Sequence, residues 1–132
     1  MRFIPATALA FMLGLGVASS AAQAASILGL WSGRGTVRLN TGQVEPVSCK
    51  VNYEKGDSAG KTFTLNATCA AAAGSFSIYG RVSQRGTSSY RGVLFSEQST
   101  MAGKVNITIR GDSQSASVSN DRGIGNVTLK RR

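Results

Sequence analysis

Histidine is absent from this 132-residue chain, and that absence removes both the commonest general base and the commonest transition-metal ligand. Cysteine is scarce. Cys49 and Cys69 are the whole supply, and bonded to each other they leave no thiolate for a zinc site. Neither metal nor cofactor is therefore expected, and no residue is given a catalytic role. Acids are few as well, six against 15 Lys and Arg, so glycosidase-like carboxylate pairs have little to draw on. Asp57, Asp112 and Asp121 fall in turns, while Glu45, Glu54 and Glu97 lie at strand ends. Aromatics make up 7% of the chain and are not interleaved with the basic residues, which argues against a stacking platform specific for nucleic acid. After residue 24 no segment shows capped helical periodicity.

The chain opens instead like an export signal. Arg2 provides a positive start, Ile4 to Val17 is mostly apolar, and Ala22-Gln23-Ala24 fits a signal-peptidase site. The apolar run falls short of the about 20 residues that a transmembrane helix needs. Residues 1–24 are thus expected to be a cleaved signal peptide. Residues 25–132 are expected to form a single β-barrel domain, periplasmic or secreted, monomeric and without a transmembrane segment. Loss of Arg2 leaves 14 basic residues against six acids, a net charge of +8. Such a balance favours anionic partners without specifying the fold.

Short runs rich in Val, Ile, Phe, Tyr and Thr follow, at roughly 32–39, 44–55, 61–70, 75–83, 89–96, 104–111, 115–119 and 125–131. Gly, Ser, Asn and Asp clusters separate them, the pattern of strands and turns. Residues 70–74, rich in alanine, have the composition for a helical turn. Alternation sorts the faces: Val47, Cys49, Val51 and Tyr53 share one, and Phe63, Leu65, Ala67 and Cys69 another. One apolar face per strand means a sheet around a single core. The expected fold is all-β, a small antiparallel up-and-down barrel of about eight strands, with a two-sheet sandwich as the alternative.

Cys49 and Cys69 are symmetric about Ala59, inside the Gly56 to Lys61 turn. A hairpin centred there sets them opposite each other and inward, at a Cα separation of about 4.5–5.5 Å. A disulfide spans such a gap, and an oxidising compartment permits it. Closing a loop of this size contributes near ~3 kcal/mol by chain-entropy estimates.

Gly56-Asp57-Ser58-Ala59-Gly60 fits the G-x-S-x-G string of a nucleophile elbow. The chemistry needs a base and a strand-to-helix turn, whereas here the string joins two strands, and five small polar residues suit a hairpin. Asn66-Ala67-Thr68, Asn106-Ile107-Thr108 and Asn126-Val127-Thr128 match glycosylation acceptors but also suit polar strand faces. Ser113, Ser115, Ser117 and Ser119 form an alternating row, read as a solvated edge.

The basic residues suggest a surface. A first hairpin turning about Gly42 would set Arg34 opposite Lys50, and barrel closure would add Lys130 and Arg132 to Arg34 and Arg38. Like charges across a strand pair are unfavourable unless they hold an anion. The expected anion-binding stripe is Arg34, Arg38, Lys50, Lys130 and Arg132, facing anionic envelope polymers or lipid head groups.

Gly29-Leu30-Trp31 at the first strand, with basic residues ending the last, resembles calycin-type small barrels. The resemblance implies that Trp31 packs across the barrel end against a late arginine, Arg131 or Arg132. Trp31-Ser32-Gly33-Arg34-Gly35, Glu45, Cys49-Lys50-Val51-Asn52-Tyr53 and Cys69 together resemble small exported Gram-negative proteins with a Trp-x-Gly-x-Gly, Cys-x-Val-x-Tyr and Cys pattern. That likeness implies no activity. A fainter similarity is to small secreted metalloprotease inhibitors, and periplasmic lysozyme inhibitors share the barrel. The expected function is non-enzymatic binding in support of envelope integrity, with inhibition of a protease or lysozyme as the alternative.

Overall fold

The computed structural model describes residues 26–98 and 102–132; the expected signal peptide lies outside the described residues. The strands are β1 (Gly29–Leu39), β2 (Val44–Lys55), β3 (Thr62–Ala71), β4 (Gly74–Gln84), β5 (Ser89–Ser96), β6 (Ala102–Arg110), β7 (Ser113–Asn120) and β8 (Gly123–Arg131). Each pairs antiparallel with the next, and β8 pairs with β1 to close a barrel. Closure leaves no edge strand among the described residues, so the serine row of β7 is not an edge: it lies between β6 and β8. In place of a helical turn at 70–74, β3 runs to Ala71 and pairs there with Gly74 across Ala72 and Ala73. Long flanking ladders outweigh the alanine propensity of so short a segment.

Alternation places the core. Cys49 faces Cys69 in the β2–β3 register, with a Cα–Cα distance of 4.1 Å and a formed disulfide. Their hairpin is held by Asp57, whose Oδ1 accepts from the backbone N–H of Gly60, Lys61 and Thr62. The Gly56 to Gly60 string thus has a turn-building role. Desolvation is the largest single influence and acts to raise the Asp57 pKa, but the hydrogen bonds from Thr62, Lys61 and Gly60 together outweigh it and hold the carboxyl below its ordinary range.

The first hairpin differs from expectation by one step. Arg34 faces Ser48, and Lys50 faces Ser32. The loop has three residues, Asn40, Thr41 and Gly42, because Gly42 takes the left-handed conformation (φ 90°) and Leu39 bonds to Gln43. The pivot is therefore Thr41, and the expected Arg34–Lys50 like-charge pair does not form.

Closure requires β1 to bend closely against β8. A Cβ on Gly33 would sit 1.9 Å from the Thr128 carbonyl oxygen, and one on Gly35 1.8 Å from that of Asn126. Only glycine permits this approach of two backbones.

Candidate functional site

One end of the barrel is plugged by large side chains. Trp31, Ile27, Val82, Tyr90, Phe63, Ile109 and Leu129 are all buried there. The Phe63 and Tyr90 rings meet edge to face at 5.7 Å, a favoured aromatic geometry. Trp31 Nε1 donates to the Ile27 carbonyl at 2.9 Å. Arg131 lies with its guanidinium 4.3 Å over the Trp31 ring. It also donates to the carbonyls of Leu28 (3.1 Å) and Ser26 (2.7 Å) and pairs with Asp112 at 3.2 Å. One planar cation thus ties the start of the described chain to its last strand, using the several donors that only Arg presents in a fork. Arg132 is exposed and bonds through its backbone N–H to Leu30.

The opposite end is open. A cavity of about 340 Å³ runs inward from it, past the Cys49–Cys69 disulfide, to Tyr53 and Leu65. Its walls are almost wholly apolar, and small residues make the room: Ala67, Gly103 and Ala116 reach it from β3, β6 and β7, and Gly123 and Gly125 from β8. Val37, Leu39, Phe76, Ile78, Val118 and Val127 line it and are only half-buried, although they point inward. Among the described residues the polar lining is Tyr53 at depth and Ser96, Asn120 and Arg122 toward the mouth.

Tyr53 is not free to contact a guest through its hydroxyl. That group donates to Gln114 Oε1 at 2.7 Å, and burial pushes the phenol pKa up, so it stays protonated. Gln114 is itself 1% exposed, and its Nε2 has no partner among the described residues. Gln114 is not among the residues that line the cavity.

The outer wall carries the charge. Arg34, Arg38, Lys50, Lys130 and Arg132 are all exposed. Lys50 and Lys130 flank Ser32 from β2 and β8, and Arg34 is two residues further along β1. Adjacent strands are about 4.8 Å apart, so these three cations surround Ser32 at roughly two strand spacings or less. Arg34 also borders a shallow groove of about 350 Å³ whose other side chains include Thr36, Asn106, Thr108, Ser115, Ser117, Asn126 and Thr128. Arg38 lies apart, between Val44 and Ile124. Arg132, at the plugged end, sits beyond the paired register. Among the described residues the ion pair present is Arg131–Asp112, so none of the three cations around Ser32 is ion-paired there.

No protein-family model and no curated protein sequence matches this chain. Solved structures do match in shape. A de novo designed fluorescence-activating β-barrel superposes with TM-score 0.64 at 16% identity, covering 83% of this chain and 96% of that one. The redesigned barrel mFAP0 bound to DFHBI gives 0.66 at 14% identity, covering 81% and 100%. The S-type phycobiliprotein lyase CPES from Guillardia theta gives 0.50 at 12% identity, covering 81% and 89%. At such identities the likeness is one of fold.

Two site features were missed in the sequence. Arg122 reads there as one more turn residue, and Gln114 as part of a turn. The signal for Gln114 was its place in alternation with Ala116 and Val118 on β7, which sends it inward.

Proposed function

We propose that this is a non-enzymatic binding protein of the cell envelope that carries a small, mainly apolar molecule inside its barrel. The basic cluster around Ser32 would hold the protein near anionic envelope components. The observation that carries this reading is the open apolar cavity. Half-buried Val, Leu, Ile and Phe side chains face a space that water fills poorly, and covering them is worth about 25 cal/mol per Å² of apolar surface. A volume of about 340 Å³ falls at the lower end of the about 300–1,000 Å³ typical of small-molecule sites. That a designed barrel of this shape is described as bound to DFHBI supports the same use of the interior. The likeness to small exported Gram-negative proteins is compatible with it.

Titration with anilinonaphthalene sulfonate tests the reading. One probe should bind per chain, and Gly125→Leu should abolish binding without loss of fold. There is room for that side chain's first carbon, since a Cβ on Gly125 would meet Val37 Cγ2 at 3.5 Å, an ordinary contact. Equal binding by the variant would place the probe elsewhere and remove the reading. For the outer wall, exchanging Arg34, Arg38, Lys50 and Lys130 for glutamine should weaken salt-sensitive retention on an anionic polysaccharide; unchanged retention would remove that part alone. Inhibition of a hydrolase has no observation in its favour, as Arg131 draws Ser26 and Leu28 back under the barrel rather than leaving an extended trunk.

A further inference from the structure

The cavity has a polarity along its axis, and that polarity selects among guests. Its inner end is shut by aromatic and aliphatic side chains, and its one inner polar atom, the Tyr53 hydroxyl, is already engaged by Gln114. Nothing there can solvate a charge, and an unpaired ion in such surroundings costs several kcal/mol. At the mouth the situation reverses. Among the described residues lining the cavity, Arg122 alone is charged. It sits in the β7–β8 turn, held by its backbone N–H to Asn120 Oδ1 (2.8 Å) and by its carbonyl to the Asn40 N–H (2.9 Å), so the backbone uses local partners and the guanidinium remains available. Its side chain has no carboxylate within ion-pair distance among the described residues. Asn120, also on the lining, adds an amide at the same rim.

We infer that the guest is a single-tailed anionic amphiphile, with its tail in the barrel and its head group at Arg122. This rests on the cavity-binding reading and narrows it to a ligand class. At about 30 Å³ per water-sized group, the cavity admits on the order of ten heavy atoms, a medium-length chain rather than a two-tailed lipid. Arg122 then pairs with the head while water still reaches it, so the charge is never buried.

Decanoate and decanol share a tail and differ in the head, which separates this inference from the broader one. Affinities are measured calorimetrically for both on the full mature chain and on Arg122→Gln. The wild type should prefer decanoate by about three- to five-fold at low salt, in keeping with an exposed ion pair. The preference should shrink as salt rises. Arg122→Gln should bring the decanoate-to-decanol ratio to one or below. Equal affinities in the wild type, or an unchanged ratio in Arg122→Gln, overturn the orientation and leave the cavity as an apolar site. Equal weakening of both ligands by Arg122→Gln makes the residue structural and also overturns it. No binding of either ligand by the wild type removes the cavity reading itself.

Discussion

The two halves of this barrel share strands yet are built on opposite rules. Around Trp31 the interior is filled to exclusion, with Trp31, Ile27 and Val82 at 0% exposure. Beyond the disulfide it is lined by glycine, alanine and half-buried aliphatics that enclose a cavity. A small eight-stranded barrel is just wide enough for side chains to fill, so an unfilled half is a choice of side-chain size rather than a consequence of the fold. The lesson is a division of labour. The filled half supplies the stability with which the open half can leave apolar surface uncovered.

That contrast can be broken first at Trp31. Trp31→Ala should destabilise by about 3–5 kcal/mol, read as a lowered urea midpoint, because it opens a cavity and strips Arg131 of its ring. Val118→Ala in the open half should cost about 1 kcal/mol or less, because that side chain is only half-buried and already borders the cavity. Similar losses for the two would mean that the halves are packed alike. Reduction of Cys49–Cys69, or its double replacement by alanine, should cost about 3 kcal/mol. Tyr53→Phe should cost about 1–3 kcal/mol, since it leaves Gln114 buried with neither end of its amide paired. Adding Gln114→Leu to that variant should recover much of the loss, as removal of both polar partners is far less costly than removal of one.

The smallest effect concerns acid. The Asp57 pKa is lower in the folded protein than its ordinary value, so its contribution is present above the unfolded pKa and is lost as pH falls through the folded one. Protection of the Gly60 and Thr62 amides, taken relative to the intrinsic exchange rate at each pH, should fall over that interval in the wild type, and Asp57→Ala should show low protection at every pH.

Much of this architecture can be read before any coordinates. The eight runs and their inward sets need only period-two alternation, and the disulfide register follows from two cysteines equidistant from one turn. The first hairpin went one step astray because its register depends on whether Gly42 is the pivot or the left-handed last residue of a three-residue loop, and composition does not distinguish these. The cavity was hidden for a different reason. Ala67, Gly103, Ala116, Gly123 and Gly125 are dispersed along the chain, and the cavity they share exists only once the strands have closed into the barrel. Arg122 gained its meaning in the same way, from a neighbouring space rather than from neighbouring residues.

Amide NMR shifts on addition of decanol give the most direct test of the central claim. The account predicts saturable, one-to-one changes confined to the open half, at Val37, Ile78, Val118 and Gly125, with the amides around Trp31 and Tyr90 little moved. Changes spread over the outer wall, or none at all at saturating ligand, would contradict it.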